Sequence, residues 1–289
     1  MRIRVGSRAS ELAVVQANIV IETIQKAAPS AEVELVTMTT TGDRILDQTL
    51  DKVGGKGLFV KELDIALLEN RVDITVHSYK DVPMDVHHKL PIIAVSKREK
   101  PFDVLVLPKG VSRIDESKPI GCSSARRQLQ IKKLYSGISI APVRGNVITR
   151  LKKLDSGEFS ALVLAEAGLA RLGLSERISR RFSYEEMLPA ACQGVLAVQA
   201  REGFDVSLLG DFPDEETWDV SVAERAFVRA LGGGCSAPTA ACGVLDGASL
   251  KLTGLFVNNR GALMMDTVTG SRKDAQAIGG KLANKIAGV

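Results

Sequence analysis

Residues 120–134 read IGCSSARRQLQIKKL, and this stretch decides the fold because it joins a strand pattern to a helix pattern. The apolar start at Ile120 predicts a strand, and ARRQLQIKKL predicts a helix that begins after Ser123 and Ser124. Serine hydroxyls at such a position are suited to accept hydrogen bonds from the first helical N–H groups. A strand that runs directly into a helix is the building block of α/β proteins.

The same strand-to-helix order recurs on both sides of this stretch. The strand that begins at Val72 ends at the DVP segment, because proline cannot donate a ladder hydrogen bond. The predicted segments, in chain order, are the strand 2–6, the helix 10–26, the strand 33–40, the helix 60–71, the strands 72–80, 90–97 and 102–108, the strand 138–143, the helix 144–154, the strand 159–167 and the helix 168–174. This alternation predicts an α/β fold.

The pattern changes towards the C-terminus. The segment GVLAVQA, residues 194–200, predicts a strand that could return to the first sheet. After it come a predicted helix at 220–231, the loop GGGCSAP at 232–238, strands at 249–257 and 262–270, and a final helix at 273–287. The predicted organisation is one α/β lobe formed by 1–96 with 195–212, a second, basic, anion-binding α/β lobe at 97–190, and a smaller α+β domain at 215–289.

The composition fits a globular protein, with 45 % apolar and 25 % charged residues in a chain of 289. The net charge is only +4, but residues 97–181 hold 18 Lys and Arg against 8 Asp and Glu. Such a basic segment predicts an anionic partner. Because only 4 % of the residues are aromatic, few side chains could stack on bases, which favours a small polyanion over nucleic acid.

The sequence shows no segment that would take the chain to or through a membrane. No apolar stretch approaches the ~20 residues that span a bilayer, and no apolar signal region follows Met1. The four cysteines form no C-x-x-C pair, the histidines form no H-E-x-x-H motif, and the common nucleotide-binding glycine motifs are missing. We therefore expect a cytoplasmic protein with reduced thiols and without a metal site.

Arginines cluster at three predicted strand-to-helix junctions. Arg126 and Arg127 fall in the first turn of the helix after Ser124, where the partial positive charge of a helix N-terminus disfavours them unless an anion is bound there. A pair of solvent-exposed arginines is the alternative. The other two junctions carry Arg8 with Ser10, and Arg144 with Arg150. Ligands of open α/β sheets bind at the carboxyl ends of strands, so the three junctions would converge on a cleft between the lobes.

A single acidic group follows the strand predicted at 72–80. Ser78, Lys80 and Asp81 lie in the segment VHSYKDVP, again at the carboxyl end of a strand. At ~4 Å and an effective dielectric constant of ~20, a carboxylate attracts a cation by about 4 kcal/mol. Asp81 is therefore the candidate acid–base group, and a surface ion pair between Lys80 and Asp81 is the alternative.

The segment 40–62, TTGDRILDQTLDKVGGKGLFVKE, is long, polar and interrupted by glycines. Segments of this kind form loops that cover binding sites in many enzymes. It predicts a mobile lid, with Lys56 and Phe59 near its end, or else a plain surface loop.

A cysteine follows three glycines in LGGGCSAP, residues 231–238. Glycines lose more backbone entropy on folding than other residues, and in return they allow a tight turn or room for a bulky group beside the backbone. From these residues alone Cys235 could be a nucleophile, a metal ligand, an attachment point or a small buried apolar side chain.

Six motifs are long enough to compare with known families. They are VGGKGLFVKELDIALLENR at 53–71, DITVHSYKDVP at 73–83, SSARRQ at 123–128, RGNVITRL at 144–151, LDSGEFSALVLAEAGLARLGL at 154–174 and GGGCSAP at 232–238. Together they resemble the porphobilinogen deaminases from Arg2 to the C-terminal helix. The resemblance implies two α/β lobes like those of periplasmic binding proteins and a smaller α+β domain with a cysteine loop. One departure is Cys192 in LPAACQG, where the family usually has glycine.

The resemblance implies a transferase of porphyrin and haem biosynthesis that works on a covalently bound primer. Cys235 would anchor a dipyrromethane cofactor through a thioether. Four porphobilinogen molecules would be added head to tail with loss of ammonia, and the linear tetrapyrrole hydroxymethylbilane would be released by hydrolysis. Asp81 would be the catalytic residue, which hydrogen-bonds pyrrole N–H groups and stabilises the cation left after deamination.

The resemblance also assigns the side chains that bind carboxylates. Besides Asp81, cofactor binding would fall to Ser78, Lys80, Ser123, Ser124, Arg126, Arg127, Arg144 and Arg150. Substrate binding would fall to Arg8, Ser10, Arg144, Arg150 and Arg171. The resemblance implies a monomer without nucleic-acid or membrane partners. The alternatives are a two-lobed small-anion binding protein without catalysis and a nucleic-acid-binding protein, which would leave Cys235 and Asp81 unexplained.

Overall fold

The computed structural model describes residues 1–44, 57–233, 238–258 and 261–288. Within these ranges the chain forms two compact units, Met1–Glu99 with Gly194–Trp218 and Lys100–Gln193 with Asp219–Val289. The first unit contains a five-stranded sheet, and the second contains a five-stranded and a three-stranded sheet.

The strands, in chain order, are β1 (Arg2–Arg8), β2 (Glu32–Met38), β3 (Ile74–Ser78), β4 (Ile92–Val95), β5 (Asp103–Val106), β6 (Ile120–Gly121), β7 (Ile140–Ala141), β8 (Ala161–Ala165), β9 (Arg180–Arg181), β10 (Leu196–Ala200), β11 (Ala240–Asp246), β12 (Ser249–Val257) and β13 (Leu263–Ser271). The helices are α1 (Glu11–Ala27), α2 (Thr41–Arg44), α3 (Lys61–Leu68), α4 (Ala125–Leu134), α5 (Val147–Asp155), α6 (Glu166–Arg171), α7 (Glu215–Ala230) and α8 (Ala275–Ala287). Among the described residues, no helix is long and apolar enough to cross a membrane.

The first unit is built on the sheet β2-β1-β3-β10-β4. Strand β1 pairs in parallel with β2 and β3, whereas β10 runs antiparallel between β3 and β4. All five residues of β10 are buried, as expected of an interior strand with both faces covered. The prediction that segment 194–200 returns to the first sheet is therefore confirmed.

Helix α1 covers a face of this sheet. Ser10 caps its N-terminus, because the Ser10 Oγ accepts a hydrogen bond from the N–H of Ala13 at 3.4 Å. The residues that α1 buries recur at helical spacing and are Ala13, Gln16, Ala17, Val20 and Ile24. Of these, Ala17, Val20 and Ile24 pack in the core with residues of β1, β3 and β10. The predicted helix 10–26 is confirmed to within one residue at each end.

The larger sheet of the second unit has the order β7-β6-β8-β5-β9. Strand β6 pairs in parallel with β7 and β8, and β5 runs antiparallel to β8 and β9. Helix α4 occupies 125–134, as the opening sequence pattern predicts, and Ser124 is its N-cap. The strand-to-helix order read from that stretch is therefore confirmed.

The smaller sheet, β11-β12-β13, is antiparallel, and helix α8 packs on it. Strand β12 has the predicted bounds 249–257, and β13 and α8 begin and end within two residues of their predicted bounds. The sequence analysis missed β11, because its first four residues are all buried and so show no alternation of apolar and polar positions. The predicted class, two α/β lobes with a smaller C-terminal α+β part, is confirmed.

Candidate functional site

Two polar junctions of the first unit lie at the same edge of its sheet. Strands β1 and β3 are parallel neighbours, so the segments that follow them leave the sheet on the same side. Arg8 is the last residue of β1, and Ser78 is the last residue of β3. Ser78 Oγ accepts a hydrogen bond from Gln16 Nε2 at 2.9 Å, which ties the end of β3 to α1. Sequence analysis did not single out Gln16.

Asp81 is held by the turn that follows β3. This single 3₁₀ turn, Tyr79–Asp81, is anchored by the buried Tyr79, whose N–H donates a hydrogen bond to the Val195 carbonyl oxygen at 2.9 Å. Asp81 itself is half-buried.

A small cavity lies where these junctions meet. Its volume is about 20 Å³, and it is lined by Arg8, Ala13, Gln16, Phe59, Val60, Val76, His77, Ser78 and Asp81. A cavity of this size has room for about one water molecule. The structure thus brings together four residues predicted for the site in this unit, namely Arg8, Phe59, Ser78 and Asp81, around a cavity that holds both a guanidinium and a carboxylate.

The Arg8 guanidinium is paired with a carboxylate that the sequence analysis did not consider. Arg8 Nε donates to Asp43 Oδ2 at 3.2 Å, and Arg8 Nη2 donates to Asp43 Oδ1. Asp43 Oδ2 also accepts bonds from the N–H of Thr40 at 3.1 Å and from the Thr40 Oγ1 at 2.7 Å. Burial opposes ionisation of Asp43, but the bonds from Arg8 and Thr40 outweigh it and hold the pKa of this carboxyl below its usual value.

Phe59 covers the face of the same guanidinium. The Arg8 Cζ lies 4.3 Å from the centroid of the Phe59 ring, a geometry that favours a cation–π interaction. The ring also packs against Gly42, where any Cβ would overlap it. The described ends of the predicted lid, 40–44 and 57–62, therefore both contact the Arg8 region.

His77 is buried beneath this cavity. Its Nε2 lies 2.9 Å from the Thr75 Oγ1, and only 5 % of the residue is exposed. Burial lowers the pKa of His77 to about 4, and the nearby Arg8 charge acts in the same direction. The imidazole is therefore neutral at pH 7.

This shift predicts that His77 makes the protein less stable in acid. Between pH 6.5, the usual pKa of histidine, and about pH 4, the pKa of His77 in the folded protein, His77 is protonated in the unfolded chain but neutral in the folded one. Unfolding is therefore favoured as the pH falls through this interval. The contribution to the free energy of unfolding is about 3 kcal/mol over this interval. Urea unfolding at pH 7 and pH 4.5 should show a smaller pH effect in His77→Gln than in the parent. The exposed His88, replaced in the same way, is the control; an equal pH effect in the parent and His77→Gln would contradict the assignment.

Two further junctions come together in the second unit. Strands β6 and β7 are parallel neighbours, so Ser123 and Arg144 follow strands that end at the same edge. Ser123 Oγ donates to the Val143 carbonyl oxygen at 2.8 Å and accepts from the Val143 N–H at 3.0 Å. Arg150 Nε donates to the carbonyl oxygen of Gly145 at 2.8 Å, which folds this side chain back onto the junction. The φ of Gly145 is +107°, a conformation that side chains disfavour.

Arg126 and Arg127 share a buried carboxylate, that of Asp103. Arg126 Nη1 lies 2.7 Å from Asp103 Oδ2, and Arg127 Nη2 lies 2.7 Å from Asp103 Oδ1. The exposed fractions of the three side chains are 5 %, 10 % and 0 %, so the alternative of two solvent-exposed arginines is wrong. The anion beside these arginines in the structure is Asp103. Burial of Asp103 is outweighed by the two guanidinium groups, which hold the pKa of its carboxyl far below its usual value.

The remaining predicted site residues are placed as follows. Arg171 ends α6 and is half-buried, as is Arg144. Lys56, predicted for the lid, and Cys235, predicted for the cofactor attachment, lie outside the described residues. Within the described ranges no group of three His, Cys, Asp or Glu side chains is placed to hold a metal ion.

The backbone conformation at Cys192 explains why the family usually has glycine at this position. Its φ is +59°, in the left-handed region that glycine adopts without strain. The residue is only 1 % exposed, and its N–H donates to Glu224 Oε2 at 2.6 Å. Glu224 Oε1 in turn accepts from the N–H of Gly243 in β11 at 2.7 Å. This buried carboxylate therefore fixes a conformation at residue 192 that would suit glycine better.

Comparison with known proteins supports the resemblance over nearly the whole chain. The family model "Porphobilinogen deaminase, dipyromethane cofactor binding domain" matches residues 3–207, and "Porphobilinogen deaminase, C-terminal domain" matches residues 218–288. The porphobilinogen deaminase of Acetivibrio thermocellus is 62 % identical over 99 % of this chain and 98 % of its own length. The porphobilinogen deaminase of Alkaliphilus oremlandii is 62 % identical over 100 % of this chain and 97 % of its own.

Among solved structures, the periplasmic VFT2 domain of Bordetella pertussis BvgS aligns with a TM-score of 0.42 and 13 % identity, over 72 % of this chain and 83 % of its own. The two family models match the segments 53–83, 123–174 and 232–238, in which the six motifs lie, and the two relatives align over nearly the whole chain. The chain belongs to the porphobilinogen deaminase family, with the dipyrromethane-cofactor-binding domain followed by the C-terminal domain.

Proposed function

We propose that this chain joins four porphobilinogen molecules head to tail, with loss of ammonia, onto a covalently bound dipyrromethane and releases the linear tetrapyrrole hydroxymethylbilane by hydrolysis. The observation that carries the proposal is the small cavity of the first unit, where the Asp81 carboxylate and the Arg8 guanidinium both line the wall. Porphobilinogen carries two carboxylates, a pyrrole N–H and an aminomethyl group that leaves as ammonia. An anion and a cation side by side match these two kinds of group.

Asp81 is proposed as the catalytic residue. Its carboxylate can accept a hydrogen bond from the pyrrole N–H of the substrate and can stabilise the positive charge that develops when ammonia leaves. At ~4 Å and an effective dielectric constant of ~20 this attraction is about 4 kcal/mol, which corresponds to roughly a thousandfold in rate if it is realised fully in the transition state. The anchored turn Tyr79–Asp81 keeps the carboxylate in place.

The substrate carboxylates are assigned to arginines at the strand ends. Arg8 would bind one in the first unit, and Arg144, Arg150 and Arg171 would bind others in the second. Ser10 would add a hydrogen bond, since an N-cap hydroxyl accepts from the helix and still has its own proton to donate. Guanidinium forks bind carboxylates with two parallel hydrogen bonds, which fixes orientation as well as affinity.

The second unit has a donor set that fits the cofactor's carboxylates. The N-terminus of α4 has Ser123 and Ser124 beside it, and the cluster of Arg126, Arg127 and Asp103 keeps one net positive charge in a buried position. A buried excess of positive charge favours an anion nearby. When bound, the dipyrromethane supplies the pyrrole end to which the first porphobilinogen is added. Ser78 and Lys80 are proposed to contribute hydrogen bonds from the first unit.

Cys235 is proposed as the attachment point, and intact-mass measurement tests this. Purified parent protein should carry an added mass of two linked pyrrole units, Cys235→Ser should lack it, and the matched control Cys242→Ser should keep it. Cys242 is buried in β11, so it differs from Cys235 in position but not in chemistry.

An adduct that persists in Cys235→Ser would show that the cofactor is attached to another residue. A parent that shows only the polypeptide mass, and gains none from porphobilinogen or preformed linear tetrapyrrole, would contradict the proposed transferase. The two-lobed anion-binding protein without catalysis would then replace it.

We also propose that the protein acts as a cytoplasmic monomer. Cys122 is a free, buried thiol, which suits a reducing compartment. The monomeric state is carried by the family resemblance, and sedimentation equilibrium of the purified protein would test it.

A further inference from the structure

Asp43 already occupies the donors of Arg8 that a substrate carboxylate would use. Two of its donors, Nε and Nη2, form one edge of the guanidinium fork, and both bond to Asp43. That edge is one of the two through which a guanidinium can donate two parallel hydrogen bonds to a carboxylate. The face of the same group is covered by Phe59, at 4.3 Å from the ring centroid.

Both donors of the Nε–Nη2 edge of Arg8 are bonded to Asp43. A substrate carboxylate can therefore bind at that edge only after Asp43 has left it.

We infer that Asp43 is a specificity-determining residue, an internal carboxylate that competes with the substrate carboxylate for Arg8. The inference rests on the proposed role of Arg8 in substrate binding. In the exchange Arg8 gives up one carboxylate and gains another, so it remains paired. A pyrrole without a carboxylate at this position cannot replace the ion pair that Asp43 forms with Arg8, so it binds more weakly.

Asp43 keeps part of its hydrogen bonding after the exchange. Its Oδ2 keeps the bonds from the Thr40 N–H at 3.1 Å and the Thr40 Oγ1 at 2.7 Å, which come from its own segment. The start of that segment is tied to α3, because Glu62 Oε1 accepts from the Thr41 N–H at 2.9 Å and the Thr41 Oγ1 at 2.6 Å. Arg8 stays paired, and Asp43, whose side chain is 22 % exposed, keeps two hydrogen bonds and reaches water, so the cost of exchange is modest.

The replacement Asp43→Asn tests the inference, because it removes the charge and preserves the size of the side chain. The KM for porphobilinogen is expected to fall by about three- to tenfold, the change that follows if Arg8 is engaged by Asp43 between two-thirds and nine-tenths of the time. Two measurements are made. One is KM, and the other is the porphobilinogen concentration that half-protects Arg8 from phenylglyoxal, read by peptide mass mapping. The second does not depend on turnover.

The matched control is Asp73→Asn, because the partner of Asp73 is Arg4, which lies in β1 like Arg8. Asp73 pairs with Arg4 through the same two atoms, Nε at 3.1 Å and Nη2 at 2.8 Å, and the pair is similarly half-buried. This replacement should lower the melting temperature but leave both porphobilinogen measurements unchanged. In an Arg8→Gln background, Asp43→Asn should no longer change KM.

An unchanged or raised KM in Asp43→Asn, with Arg8→Gln raising KM, would overturn this inference alone and make Asp43 a residue that positions Arg8. An unchanged KM in Arg8→Gln would overturn both the inference and the proposed role of Arg8. If Asp43→Asn does not fold, Asp43→Ser carries the same expectation, because it too removes the competing charge.

Discussion

Replacement of Asp103 by alanine is expected to lower the free energy of unfolding by about 3–5 kcal/mol, because it leaves two buried guanidinium groups without the carboxylate that they share. For a chain of this size a loss of this magnitude lowers the melting temperature by roughly 10 °C. Thermal unfolding followed by circular dichroism measures it. Since Asp103 also accepts from Gln193 Nε2 at 3.0 Å, the replacement removes a hydrogen bond from the segment that leads into β10.

Two comparisons separate charge balance from simple loss of packing. The triple variant Asp103→Leu, Arg126→Leu, Arg127→Leu should recover much of the lost stability, because buried ion clusters can be exchanged for apolar groups with little net cost. Glu34→Ala, which breaks the exposed pair with Arg2, should have little effect. Asp103→Ala with the parent's melting temperature would show that the cluster does not need its carboxylate.

Replacement of Asp81 by asparagine is expected to lower turnover of porphobilinogen by roughly a thousandfold while leaving the melting temperature nearly unchanged. The amide keeps the shape of the side chain but lacks the negative charge that would stabilise the developing cation. The fold should tolerate it, since Asp81 is half-buried at a cavity wall and its turn is held by Tyr79. Steady-state turnover and thermal unfolding are measured on the same preparation.

Asp85→Asn is the matched control for this replacement. Asp85 is an exposed acid four residues further along the chain and does not line the cavity. It should retain the parent's turnover. Near-normal turnover in Asp81→Asn would remove Asp81 from the catalytic role, and a large fall in melting temperature would make its role structural.

Local patterns predicted the elements that local physics determines. The bounds of the helix 125–134 were predicted correctly, because the N-cap serine and the helical spacing of the apolar residues can both be recognised in the sequence. The strand 249–257 was also predicted to the residue, because polar and apolar residues alternate along its first half, from Ser249 to Thr253. Strand β7, by contrast, has two residues where a strand over 138–143 was predicted, because its ends are set by pairing with its partner strand rather than by composition.

The candidate site was predicted in part for a similar reason. Arg8, Ser78 and Asp81 share a cavity, as the rule that ligands bind at strand ends predicted. Their partners were missed, because Asp43 and Asp103 lie 35 and 23 residues from Arg8 and Arg126 and no periodicity joins such pairs. One signal was available for Asp103, an acid at the start of the apolar strand FDVLVLP. An isolated charge in an otherwise apolar strand is a reason to search for a buried counter-charge.

The placement of β10 has a consequence for how the chain is made on the ribosome. Strand β4 lies at the edge of the first sheet with β10 as its neighbour, and β10 begins at residue 196. Synthesis proceeds at about 5–20 residues per second, so roughly 5–20 s separate the emergence of β4 from that of its partner. During this interval β3 and β4 both present unpaired edges. A holdase chaperone should therefore be needed most after β4 has emerged from the ribosome and before β10 has.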